Sequence, residues 1–280
     1  MKRFLLFATL FCCGVTTYAA KLKYDSTAVS QTFETRISAD FTKHFRQKIT
    51  LGFSEEIRLQ FFNQVAKSAT GSSATAYTLN ETPDYFRRSY TTLSLGYKPI
   101  EYLGINAAYT LRLLGNKDWS DPKEFIRHRA TLALTGHLKA NQWKFSLRER
   151  LDINCRMDSV NTDEKAPVDL RLRHRLHASY DIMGKPIRLF LNFELINTLN
   201  APTDYLNAVT GKNYGQYLSN INTQLGVRWR LDKRNTLAFS YRFNYSNERD
   251  IDISKSAKNI RLWQEKGYAH IFAINYEFDW

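Results

Sequence analysis

The chain has 280 residues, 43% hydrophobic and 14% aromatic, with 40 Lys and Arg against 27 Asp and Glu, for a formal net charge of +13. Two of its three cysteines, Cys12 and Cys13, sit in an N-terminal apolar stretch and only Cys155 lies beyond it, which excludes an intramolecular disulfide framework and a cysteine-based metal site. Past that stretch no run of about 18 to 25 apolar residues exists to form a membrane-spanning helix, so the chain is either a secreted soluble protein or one that crosses a membrane as strands, closed barrels being the only alternative to helices in lipid.

Residues 1–20 read as a secretory signal peptide: Lys2 and Arg3, an apolar run over 4–15, and Thr17-Tyr18-Ala19 where a signal peptidase reads small residues. Phe11 before Cys12 is too large for a lipoprotein site. Cleavage removes Lys2 and Arg3, leaving +11 on a barrel domain of residues 21–280.

Residues 21–31 are polar and without clear period, and then alternation begins. Phe33, Thr35, Ile37, Ala39 and Phe41 share one face of a strand and Glu34, Arg36, Ser38 and Asp40 the other. After a connection at 43–47, residues 49–61 alternate again, with only Glu55 breaking the apolar face. A loop is expected over 63–84, then a hairpin of 85–98 and 102–114, a loop over 116–122, and a hairpin of 126–138 and 143–154 around the turn 139–142. Another loop covers 155–167. Strand 170–182, the turn Met183-Gly184-Lys185-Pro186 and strand 187–198 follow, then a loop with Pro202, Gly211 and Gly215. Strands 221–231 and 237–245 flank the turn at 232–235, and a last loop over 247–267, holding Glu248, Asp250 and Asp252, leads to strand 268–280.

Short turns near residues 45, 100, 140, 184 and 233 thus alternate with loops of roughly ten to twenty residues, the transmembrane-barrel arrangement. Phe45, Tyr97, Tyr102, Trp143, Tyr180, Trp229 and Trp280 fall at the turn ends and predict one aromatic girdle. The expected fold is all-β: a closed antiparallel transmembrane barrel of about 10 to 12 strands. The alternating segments number eleven, whereas single-chain bacterial barrels have an even number; residues 21–31 would thread the lumen or add a strand, or one segment is misassigned.

Short motifs across the mature chain, S-A-D-F-T-K-H-F-R-Q-K-I-T-L-G-F-S-E-E-I-R-L, R-H-R-A at 127–130, S-L-R-E-R-L-D at 146–152, R-L-R-H-R-L at 171–176 and F-E-L-I-N at 193–197, are similar to a family of outer-membrane β-barrels of unknown function. The resemblance implies the barrel fold and supplies no substrate, reaction or catalytic residue. The terminal strand, with Tyr276, Phe278 and Trp280 on one face, resembles the closing strand of bacterial outer-membrane barrels, which implies that these three residues form an insertion signal.

With apolar positions facing lipid, Arg127, Arg129, Arg148, Arg150, Arg171, Arg173, Arg175, Arg228 and Arg230 point into the lumen, as do Arg188 and Arg242; fewer acids, among them Glu56, Asp152, Asp181, Glu194 and Glu277, do so. Two functions fit: a small channel whose basic lumen draws anions, or a structural or surface-binding barrel whose interior is plugged by Arg–carboxylate pairs. A lipid-modifying enzyme is the third class weighed. His177-Ala178-Ser179 faces inward, His128 and His174 face outward, and no catalytic triad spacing appears. Glu248, Asp250 and Asp252 read as a solvated loop instead of a metal site, and no cofactor is expected. The partners expected are outer-membrane lipid and lipopolysaccharide, the barrel-insertion machinery and small anionic solutes, with no nucleic acid, in the outer membrane of a Gram-negative-type bacterium.

Overall fold

The computed structural model describes residues 26–45, 48–69, 77–80, 86–115, 120–156, 166–200, 216–253 and 260–280. The expected signal peptide at 1–20 lies outside them. Alternation of apolar and polar residues makes one face of each strand greasy, and a sheet with such a face closes on itself if its polar face has a lumen to enclose. The long strands are β1 (Ser26–Phe45), β2 (Ile49–Ala69), β4 (Phe86–Ile100), β5 (Leu103–Leu114), β6 (Ile126–Ala140), β7 (Trp143–Arg156), β8 (Val168–Asp181), β9 (Ile187–Thr198), β10 (Tyr217–Arg230), β11 (Asn235–Ile253) and β12 (Ile260–Asp279). Each pairs with the next, β1 pairs with both β2 and β12, and the short β3 (Tyr77–Asn80) lies against β2, so the described strands form a closed eleven-stranded barrel. A single helical turn, α1 (Pro122–Phe125), precedes β6.

Eleven strands fall within the expected range, but the expectation of an even count is overturned. All neighbours are antiparallel except at the seam, where β1 and β12 run parallel from Ser26↔Trp263 to Thr42↔Asp279. Both strands begin at the rim of the long loops and end at the rim of the short turns, which an odd number of strands requires. The polar residues from Ser26 to Gln31 neither thread the lumen nor add a strand; they are the first part of β1.

Three further boundaries differ. β2 continues to Ala69 and β3 occupies part of the expected 63–84 loop, while β11 runs to Ile253 and β12 starts at Ile260, so most of the expected loop at 247–267 is a paired hairpin extension. Glu248, Asp250 and Asp252 therefore lie on β11. The physical reason is common to all: beyond the apolar belt the ladder of backbone hydrogen bonds persists without the apolar–polar alternation that betrays it in sequence. These extensions make β1, β2, β11 and β12 20, 21, 19 and 20 residues long, against 12 to 15 for β4 to β10. One sector of the wall stands tall, by on the order of 20 Å along the strands at about 3.3 Å per residue.

The outward face carries Phe33, Ile37, Phe41, Leu51, Phe53, Leu93, Leu95, Leu132, Leu191, Leu225 and Phe272, all exposed. At the short-turn rim Phe45, Tyr97, Tyr102, Trp143, Trp229 and Trp280 are also exposed, and Trp143 packs against Tyr180 with ring centroids 4.9 Å apart. Two carboxylates interrupt the belt: Glu55 accepts from Thr91 Oγ1 at 2.6 Å, and Glu149 adjoins His174. The turns are built from residues suited to them. Asn141 and Gly184 hold φ values of 53° and 69°, and Asp232 accepts from Arg234 N at 2.7 Å and Asn235 N at 2.8 Å, bonds that hold its exposed carboxyl below the usual aspartate range.

Most buried residues are polar and face the lumen, so the core of this fold is the filled interior of the barrel. Inside it, Phe190 covers Gly226 on the neighbouring strand. A Cβ at Gly226 would lie 2.5 Å from both Phe190 Cζ and the Phe239 carbonyl oxygen. Because a backbone atom cannot yield, Gly226→Val is expected to destabilise the barrel by about 1 to 3 kcal/mol, the usual cost of overpacking, and to lower the temperature at which the folded, fast-migrating gel band converts to the unfolded one. An unchanged conversion temperature would contradict this packing.

Candidate functional site

Described residues enclose two cavities in the lumen, of about 420 Å³ toward the long loops and about 660 Å³ toward the short turns. They meet at a common layer of Arg36, Arg58, Tyr90, Arg129, Arg173 and Arg242, which lines both. Strand phase explains the layer: with Leu93, Leu95 and Tyr97 outward on β4, Tyr90 points inward, where it is buried. Arg58 stacks over its ring at 4.2 Å, and the Arg112 and Arg129 guanidinium carbons lie 5.4 and 5.7 Å from the ring centre. An electron-rich ring face is a favourable neighbour for desolvated guanidinium groups. Tyr90 forms the waist of the lumen.

Carboxylates hold part of this charge. Glu34 accepts from Arg36 Nε at 2.5 Å and Arg87 Nη1 at 3.1 Å, and Glu56 from Arg58 Nε at 2.6 Å. Asp152 is the most connected: it takes a two-pronged contact from Arg150 at 2.6 and 2.9 Å, a bond from Thr131 Oγ1 at 2.9 Å and another from Arg173 Nη1 at 3.3 Å. Glu194 receives Arg173 Nη2 at 2.6 Å and Asn222 Nδ2 at 2.9 Å. Such forked, charge-assisted contacts are stronger than neutral ones and fix the side chains in place.

The other expected lumen residues divide. Arg129 donates to Asn154 Oδ1 at 2.8 Å, Arg171 to Asp169 Oδ2 at 2.7 Å, and Arg228 lies 3.3 Å from Glu277 and over the Phe190 ring at 5.3 Å. Arg148 and Arg175 line the turn-side cavity. Arg127 is drawn instead to the long-loop rim, where its Nη1 donates to the Lys123 and Ile126 carbonyls at 2.8 and 2.9 Å, and Arg230 is exposed at the short-turn rim; neither lines a cavity. Arg188 pairs with Asp181. At the seam, Phe278 packs edge-on against Phe41 at 6.3 Å, Trp280 N donates to Thr42 O at 2.9 Å, and Tyr276 bonds Asn235.

Sequence reasoning missed the waist. Tyr90 is one aromatic among many, and only the phase of Leu93 and Leu95 marks it as inward. It also passed over Glu34 with Arg36, Arg87 and Arg112, since cross-strand partners follow from register and not from spacing. His177 bonds Asn192 Oδ1 at 2.7 Å and Ser179 is buried; His128 bonds Tyr109 OH at 2.5 Å. Among the described residues no group of three or more His, Cys, Asp or Glu is placed to hold a metal ion.

A family model described as "Protein of unknown function (DUF2490)" matches residues 57–255. The chain belongs to this family. The matched DUF2490 region runs from β2 to the end of the described part of β11, and so contains the Tyr90 waist and both cavities' arginines on β4 to β10. No curated protein matches the chain. A solved structure described as "NanC porin structure in rhombohedral crystal form" is similar to it at 12% identity, over 88% of this chain and 98% of that one, with a TM-score of 0.39.

Because Asp152 is 2% exposed and serves two arginines, removing it strands buried positive charge. Asp152→Ala is expected to cost about 3 to 5 kcal/mol, the range for breaking a buried pair on one side, read as a fall in the urea midpoint of the micelle-bound barrel. Asp152→Asn, which keeps an acceptor oxygen, should lose less.

Proposed function

We propose that this protein is an outer-membrane channel of narrow bore whose basic lumen passes small anions. The observation that carries the proposal is that arginines line both cavities on either side of Tyr90 and outnumber the acids that pair with them. In a low-dielectric tube an excess of fixed positive charge concentrates anions and repels cations. The apolar outward belt with its rim of Trp and Tyr supports lipid as the surroundings, since strands of 12 to 15 residues exceed the 9 to 11 or so that a tilted span needs. In this proposal the signal peptide at 1–20 directs export, Tyr276, Phe278 and Trp280 present the strand end to the barrel-insertion machinery, and lipopolysaccharide meets the long-loop rim. The role is transport or binding, with no enzymatic chemistry assigned.

A second reading is favoured by the waist itself: Tyr90, stacked by Arg58 and held among paired arginines, fills the middle of the lumen as a structural plug would. Planar-bilayer recording separates the two. For a channel, a salt gradient should give a reversal potential favouring chloride over potassium, more strongly at low ionic strength because screening acts over about 10 Å at 0.1 M salt, and Tyr90→Ala should raise single-channel conductance. A correctly folded barrel that passes no current, before and after Tyr90→Ala, would establish the plugged reading.

Location is tested separately. Deleting residues 278–280 should reduce the protein recovered in the outer-membrane fraction, and the intact barrel should migrate faster on gels before heating than after. Recovery of the intact protein in the soluble periplasm would end the membrane proposal.

A further inference from the structure

The turn-side cavity holds two arginines that the rest of the lumen leaves unserved. Arg148 on β7 and Arg175 on β8 are register partners, directly opposite one another across the strand pair. Like charges so placed repel, and their Cβ atoms are normally about 5 Å apart. Neither makes a hydrogen bond or an ion pair with any described residue, although both line the cavity. The nearest acid by register is Glu194, opposite Arg175 on β9, but its carboxylate is turned to Arg173 and Asn222.

The remaining acids of this cavity stand elsewhere. Asp40, Glu56, Glu277 and Asp279 belong to β1, β2 and β12, and in the ring of strands β7 and β8 lie diametrically across from β1. All four have contacts where they stand: Asn275 Nδ2 donates to Asp40 at 3.0 Å, Arg58 to Glu56 at 2.6 Å, Arg228 lies 3.3 Å from Glu277, and His44 Nε2 lies 4.0 Å from Asp279. The cavity thus has its acids on one wall and on the other carries two side-by-side guanidinium groups that no described residue bonds or ion-pairs.

We propose that Arg148 and Arg175 form a binding site for a doubly charged oxyanion, a phosphate or phosphate-monoester group carried by a small soluble solute. This rests on the lumen being the functional site and deepens the channel reading. Two adjacent forks present several N–H donors to one cluster of oxygens, the geometry in which guanidinium groups grip phosphate. A singly charged ion would leave one positive charge uncompensated, which is why two negative charges are required. A volume of about 660 Å³ leaves room for the organic part of such a solute.

The test uses the full mature barrel in detergent micelles, with inorganic phosphate as probe and calorimetry as readout. Native protein should bind phosphate, and chloride far more weakly. The double variant Arg148→Gln, Arg175→Gln should weaken phosphate binding by about tenfold or more, as expected for losing charge-assisted bonds, while Arg234→Gln, in an exposed turn, should leave it unchanged. Retained gel migration before heating shows that the double variant is folded. Should it fail to fold, Arg148→Lys with Arg175→Lys keeps the charge and removes the fork, and a weaker grip is again expected. Undiminished binding in folded double variants of both kinds, or no phosphate binding by native protein, overturns the site. Competition separates the source: displacement by glycerol phosphate supports a soluble solute, and displacement only by short-chain phosphatidic acid overturns it in favour of a lipid headgroup. Phosphate binding without conductance refutes the channel and keeps the site, whereas chloride conductance without phosphate binding does the reverse.

Discussion

A sheet with an open edge leaves a row of unpaired backbone N–H and C=O groups, and a closed barrel is the one architecture that abolishes it. Everything else in this molecule follows from how the last edge is removed. β1 and β12 meet in parallel, with contacts such as Ser38 to Asn275 joining residues 237 apart in sequence. Loop closure over that distance is entropically costly, though the cost grows only slowly with length. The seam compensates with a ladder running nearly the full length of both strands, reinforced on the outside by Phe33 against Phe272 and Phe41 against Phe278. A slip of β12 by one residue would turn Asn275 and Glu277 from the lumen onto the apolar outer face, so the side-chain pattern fixes the register as firmly as the hydrogen bonds do.

Once closed, the barrel has to fill a polar interior, and it does so with charge. Arginine suits such an interior because it stays protonated even when desolvated, and its planar fork satisfies two oxygens at once. The acids are distributed so that Glu34, Glu56, Asp152 and Glu194 each secure an arginine in or next to the waist. The layer around Tyr90 is therefore rigid by construction, while on the β7–β8 wall below it Arg148 and Arg175 have no hydrogen bond or ion pair to any described residue. Buried ion pairs of this kind contribute little net stability compared with an apolar core. Their presence is better understood as a way to keep a charged lumen in a defined shape.

Legibility in the amino-acid sequence tracks the apolar outer belt. Within the belt each strand carries an apolar outer and a polar inner face, and Phe33 to Phe41, Ile49 to Phe61 and the terminal segment are all readable as strands with the correct faces. Where the wall rises above the belt, no apolar face is demanded, and Ser26 to Gln31, Gln64 to Ala69 and Asn247 to Ile253 look like loops although they are paired. The inward direction of the arginines follows from phase. Their partners do not, because Asp152 reaching Arg173 or Glu194 reaching Asn222 is decided by register between strands, which spacing along one strand cannot reveal. The parallel seam is hidden for the same reason: eleven segments are countable, but the direction of closure is a property of the two ends together.

The uneven height of the wall gives the barrel a front and a back. On the side of β11, β12, β1 and β2 the wall stands as a palisade, with Glu248 and Glu265 at its foot lining the upper cavity. On the side of β5 to β9 the described strands stop lower. Past the point where β5 to β9 end, the inner side chains of the tall hairpins face no described strand across the lumen, so the tall sector is held there by its own backbone ladder.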